Sequence, residues 1–398
     1  MHCEQSPRMS LESNLNTLPV DLKISTFMGS CGTEEFHIVL KPTEYASFSQ
    51  QLDWLELSLS EALRAHSIGQ HDTVFRRFFC SDLPNQICTL NKKNFSNPEL
   101  EQMAAISLVN QPPVGAAKVS LWVYCIKGSE QNKQRSKVGT SLSVKRGELT
   151  HVWTSGLAFP NAGSSFVQTH RIFEAYHREL TEACMSLKEN VIRTWFFVKN
   201  VDSNYAGLVD ARNEVFAKHD LTRHTHYIAS TGIEGGHSSI GANVLMDAYA
   251  IKGVKSEQIE YLHALDHLGH THAYGVTFER ATSVAYNDRK HIFISGTASI
   301  DPQGNIVHEG DVLSQLDRTL ENISALLIRA SASIKDMQHF IVYVRDPSDA
   351  EFVWEQMKYK VGDKPYLVVT APVCRPGWLI EIEGIAVVTY EDPKLPAF

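Results

Sequence analysis

Near the C-terminus, the stretch CRPGWLIEIEG at residues 374–384 places two glutamates, Glu381 and Glu383, one residue apart in an otherwise apolar strand pattern. Side chains alternate across a strand, so Leu379, Glu381 and Glu383 share one face. An ionised carboxylate in a dry core is costly unless it is paired. The pattern therefore predicts either a wet face or an acid held there for proton chemistry. For Glu383 a second reading is a pair with a basic residue across the sheet. Cys374, seven residues before Glu381, reads on its own as a buried thiol. SGTAS at 295–299 puts Gly296 and Thr297 in a strand, where a glycine marks close approach of a ligand or another backbone.

The histidines form a separate group. His224 and His226 make H-x-H, and His263, His267, His270 and His272 cluster in one segment. The spacing of His263 and His267 suits one face of a helix. Zinc requires three or four N, S or O ligands, and neither H-E-x-x-H nor paired cysteines accompany these residues. The cluster reads as solvated or anion-contacting histidine, and no metal is expected.

The elements that must position these residues repeat. LDRTLENISALLIRASASIKDMQHFIVYVRD, from Leu316 to Asp346, has a helix stripe at Leu316, Leu320, Ile323, Leu327 and Ala330, followed by a β-rich run. RIFEAYHRELTEACMSLKENVIRTWFFVKN has the same plan, with Phe173, Tyr176, Leu180 and Ala183 as its stripe. LDWLELSLSEALRAHSIGQHDTVFRRFFCSD, from Leu52 to Asp82, is a third copy. Repeats take precedence over local reading. Each unit reads β-β-α-β-α-β, giving an α+β protein with mixed β-sheets and helices packed on one face. The predicted divisions are a flexible tail at 1–20, a degenerate N-terminal unit at 21–115, a second unit at 116–235, a connecting segment at 236–270 and a C-terminal unit at 271–398. The second unit, ending in YIASTGIEGG, shows no acid pair in its last strand, so one complete site per chain is expected.

The 398 residues carry a net charge of −8, which gives no general pull toward nucleic acid or an anionic membrane. No apolar run is long enough to span a bilayer. The seven cysteines are scattered without a C-x-x-C pair, which points to reduced thiols and a cytoplasmic location.

The C-terminal third resembles the RidA/YjgF-type fold in FISGTASIDPQGNIVHEGDVLSQLDRTLENISALL, VYVRD and LIEIEGIAV. PPVGAAKVSLWVY, RTWFFV, ARNEVF, ASTGI, YGVTFERAT, SGTAS, GDVLSQLDRTLENI and APVCRPGWLIEIEG together resemble the chorismatases, which are similar to an expanded RidA chain. The resemblance implies chorismate-mutase-like packing of helices on sheets. It also implies RidA-like repeats arranged as an internal pseudo-trimer, in a monomer or a homo-oligomer, with ligand sites between units. It further implies cleavage of chorismate, a small anion, to pyruvate plus a hydroxybenzoate or a dihydroxycyclohexadiene acid, with no cofactor. Glu381 becomes the active-site acid, and Cys374 matches the cysteine of hydroxybenzoate-forming members.

Cleavage of that kind begins with protonation of an enol-ether carbon, so the acid must still hold its proton near pH 7. A free glutamate has a pKa of about 4.3, which burial and a like charge both raise. Substrate carboxylates favour planar, bidentate partners, which makes Arg280 and Arg212 candidates. For Arg212, on a predicted helix, a surface salt bridge is the other reading. Tyr274 and Tyr366 are candidates to hydrogen-bond a carboxylate or a ring oxygen, or else core tyrosines. Two other functions fit the same fold: a RidA-like enamine or imine deaminase, and a non-catalytic ligand-binding protein.

Overall fold

The computed structural model describes residues 18–94, 104–128 and 134–398. Most of the expected N-terminal tail, residues 1–17, lies outside them. The chain forms three mixed sheets in succession. The first contains β1 (Val20–Met28), β2 (Glu34–Pro42), β3 (Thr73–Cys80), β4 (Ala105–Asn110) and β5 (Val119–Lys127), in the order β1-β2-β5-β3-β4. The second contains β6 (Gln134–Val138), β7 (Ser141–Arg146), β8 (Leu149–Leu157), β9 (Val191–Val198), β10 (Ala229–Glu234) and β11 (Val244–Lys252), in the order β10-β9-β11-β8-β7-β6. The third contains β12 (Ile259–Leu262), β13 (Ala281–Ala285), β14 (Arg289–Ala298), β15 (Met337–Val344), β16 (Tyr366–Thr370) and β17 (Ile380–Thr389), in the order β12-β13-β14-β17-β15-β16.

In each sheet the last strand returns to the middle. β5, β11 and β17 each lie antiparallel between an early strand and the strand that follows the long helix. This return moves the unit boundaries read from the sequence. Val119–Lys127, assigned there to the second unit, completes the first sheet. Val244–Lys252, assigned to a connecting segment, is a central strand of the second sheet. Periodicity shows that a stretch is a strand; the partner comes from a pairing made tens of residues away.

The repeated helices are α1 (Phe48–Ala65), α3 (Ser165–Glu182) and α5 (Val312–Arg329), each of 18 residues. Each begins at an oxygen-bearing N-cap: Ser47, Ser164 and Asp311 accept from the backbone N–H of Gln50, Val167 and Ser314. The shorter α2 (Leu83–Asn94) and α6 (Ala350–Val361) and the longer α4 (Val201–Lys218) follow β3, β15 and β9.

Strand alternation divides the core. Ile38, Leu121 and Val123 face α1, together with Leu52, Leu55 and Leu59. Their neighbours Val39, Trp122 and Tyr124 join Trp153, Tyr249, Phe293 and Ile385 in a central core shared by all three sheets. The units also interlock cyclically, because each final loop pairs with a strand edge next door: Gly236 with Asn110, Val373 with Ile233, and Pro113 with Val369. No helix among the described residues is long and apolar enough to cross a membrane.

Candidate active site

The second and third units border a partly open pocket. Tyr205 and Arg212 reach it from α4, Ser230 and Gly232 from β10, Gly296 and Ala298 from β14, and Glu381 from β17. The loop before β17 adds Cys374, Arg375 and Trp378, and the segment before β13 adds Val276, Phe278 and Arg280. That loop is held at both ends. Glu234 N–H donates to the Pro372 carbonyl (3.1 Å), and the buried Gln315 of α5 donates to the Gly377 carbonyl (2.9 Å) and accepts from Leu379 N–H (2.8 Å).

Glu381 is 5% exposed and makes no ion pair with any described residue. Burial, and then the charge of Glu383, push its pKa up to about 8, against opposing pulls from Arg193 and Arg280. At that value the carboxyl group still holds its proton at neutral pH. Gly296 makes room for it: a methyl group at that position would stand 2.1 Å from Glu381 Oε1. The close approach read from SGTAS is that of the acid to the strand beside it.

Glu383, on the same strand, has a different environment. It accepts from Arg193 Nη2 (2.6 Å), Trp195 Nε1 (3.0 Å), Tyr343 OH (3.0 Å) and the Thr231 hydroxyl. Arg77 of the first unit lies 3.8 Å away. The basic partner expected across the sheet thus comes from the neighbouring unit's sheet.

Arg212 is buried rather than engaged in a surface salt bridge. Its Nε and Nη2 have no hydrogen-bond partner among the described residues, burial lowers its pKa, and Tyr205 offsets that effect. A buried guanidinium with idle N–H groups beside a pocket is suited to an anionic ligand. Arg280, also buried, donates to the Gly269 carbonyl (3.3 Å) and lines the same pocket. Cys374 is a neutral thiol, pushed up to about 12 by burial and the nearby Glu381.

Glu381, Cys374, Arg212, Arg280 and Gly296 therefore meet in one place. Thr297 does not join them; its hydroxyl turns back to the Ser295 carbonyl (2.9 Å), because the β14–β17 register shifts between Ile294 and Thr297. Tyr366 lines a groove between the first and third units and donates to the Trp354 carbonyl (3.1 Å). The side chain of Tyr274 lies outside the described residues. His263 and His267 do not share a helix: the segment after β12 is irregular up to a 3₁₀ turn at Thr271–Tyr274. Among the described residues no group of three His, Cys, Asp or Glu side chains is placed to hold a metal. Tyr205, Arg193, Thr231 and Trp378 were missed in the sequence. Only Arg193 had a signal, a cation inside an apolar strand like the acids of β17.

A family model described as Endoribonuclease L-PSP matches residues 279–388. A RutC family protein of Pyrococcus abyssi is 35% identical over 97 residues, covering 24% of this chain and 76% of its own length. A 3-hydroxybenzoate synthase of Streptomyces hygroscopicus is 25% identical over 276 residues, 61% of this chain and 79% of its own. The crystal structure of a chorismatase superposes with a TM-score of 0.61 at 16% identity, over 80% of this chain and 94% of its own. The chain thus belongs to the RutC family of RidA-fold proteins, in the long, three-unit form of the chorismatase fold.

Proposed function

We propose that this protein is a chorismatase-like enzyme that cleaves chorismate to pyruvate and a hydroxybenzoate or dihydroxycyclohexadiene carboxylate. One observation carries the reading: a carboxyl group pushed up to about 8, with no ion pair among the described residues, in a pocket that also presents a buried, under-used arginine. Glu381 donates its proton to the methylene carbon of the enol ether. The resulting oxocarbenium ion either takes up water, loses a proton and collapses to pyruvate and the ring alcohol, or its ring C–O bond breaks, pyruvate leaves with that oxygen, and the ring loses a proton to water as it aromatises. Arg212 and Arg280 hold the two substrate carboxylates. Cys374, uncharged, lies against the ring and steers the product. The 3-hydroxybenzoate synthase relative supports the aromatic product over the diene.

Purified protein incubated with chorismate should release pyruvate, and chromatography of the second product identifies it. Glu381→Gln should lower the rate by about 10²–10⁴-fold, the usual range for general acid catalysis, with an unchanged circular dichroism spectrum. Near-normal turnover in that variant would refute the assignment. Arg375, stacked on Trp378 at the pocket (5.0 Å), favours the second reading, an imine deaminase with an arginine-held carboxylate. Ammonia from a small imino acid, without pyruvate from chorismate, would select it.

A further inference from the structure

We propose that Glu383 is the positioning residue of this site, a fixed anion, clamped by groups from all three units, that keeps the proton on Glu381. The inference rests on the reading of Glu381 as the acid. Glu383 receives four hydrogen bonds, from Arg193, Trp195, Thr231 and Tyr343. A carboxylate has about four acceptor positions, and these donors occupy that number. Thr231 is itself committed: its oxygen accepts from Arg193 Nη2 (2.5 Å) and Gly296 N–H (2.9 Å) while its hydroxyl donates to Glu383. The first unit contributes no residue to the pocket lining, yet it reaches this anion through Arg77, which Asp247 holds at 2.8 Å.

Glu381 stands two positions away on the same strand face, a separation of about 6.7 Å. At the effective dielectric of a protein, a fixed negative charge at that range is worth about one to two pH units to a neighbouring carboxyl. The other charged and titratable groups around Glu381 are Arg193 on β9, Arg280 before β13, Arg212 and Tyr205 on α4, and Cys374 and Arg375 in the loop. The arginines favour the ionised acid, Tyr205 and Cys374 are neutral, and Glu383 is the anion that opposes them.

The test is the titration of glutamate carboxyl carbons by carbon-13 NMR, with Glu381 assigned by its loss in Glu381→Gln. In the native protein a carboxyl titrating near pH 8 should vanish in Glu381→Gln. In Glu383→Gln that midpoint should fall by about one pH unit or more, and the alkaline limb of any pyruvate release should fall with it. Arg193→Gln, which uncovers the anion, should move the midpoint up. Asp247→Asn removes the neighbouring acid–arginine pair; it should lower Tm while leaving the midpoint within a few tenths of a unit. An unmoved midpoint in both Glu383→Gln and Arg193→Gln, or a native spectrum that places the proton on Glu383, overturns the proposal. The NMR readout needs no turnover, so a protein that releases no pyruvate would defeat the functional reading and leave this result standing.

Discussion

Two interfaces of this molecule use related parts to different ends. Between the first and second units, Arg77 of β3 pairs with Asp247 of β11 (2.8 Å), Ser107 of β4 accepts from Arg77 (3.3 Å), and Gly156 N–H donates to Asp247 (2.8 Å). Between the second and third, Arg193 of β9 pairs with Glu383 of β17, Thr231 of β10 accepts from Arg193, and Gly296 N–H donates to Thr231. Two residues before each clamped acid the interfaces diverge. The third unit has Glu381, while the second has Leu245, buried in the shared central core. An acid–arginine clamp thus recurs at both interfaces, and at the second of them another acid, Glu381, stands two residues before it beside a pocket. The last strand of the second unit is β11 and not β10, and with Asp247 as its single acid it still carries no acid pair.

The contrast can be tested by giving one interface what the other has. Leu245→Glu puts a carboxyl where no guanidinium pocket awaits it, and it should destabilise the fold by about 3 kcal/mol or more, with a large fall in Tm and no second site for chorismate. A variant as stable as the native protein would show that the first interface tolerates an acid unaided.

Stability against pH should carry the signature of Glu381. The folded protein keeps a proton that the unfolded chain releases, between the ordinary value of 4.5 and the raised value of about 8. Stability therefore falls as pH rises through that window, by about 1.4 kcal/mol per unit from this group, and Glu381→Gln should remove that slope in urea titrations at several pH values. A slope unchanged by the substitution would place the titration elsewhere.

Arg212→Lys keeps the charge and loses the planar fork, so kcat/KM for chorismate should fall about 10–100-fold at pH 7 with the fold intact. A change below about twofold would mean that the carboxylate docks elsewhere. The smallest effect on stability is expected from Cys374→Ala, about 1 kcal/mol, with a changed ratio of aromatic to diene product as the more informative readout.

The site was legible in the sequence where its chemistry stood in one strand or one short motif. Glu381 and Glu383 announced themselves as acids in an apolar run, and Gly296 as a gap in a strand. The three helix-then-strand repeats were equally plain, because an 18-residue stripe keeps its period wherever it packs. What was hidden depended on pairing and direction. Tyr205 and Thr231 enter from another unit's helix and edge strand, a meeting that no local pattern encodes. Thr297 was misjudged because a register shift re-aims the residue after Gly296, and Tyr366 because its strand borders a different neighbour.

The covalent linkage of the three units has a consequence for how such a protein can change. In a homotrimer every substitution is copied into three identical contacts, so an acid that suits one must be endured by all. Here the leucine of one boundary and the glutamate of another are separate letters of one chain. Each boundary can drift, close or specialise while its siblings hold the assembly together.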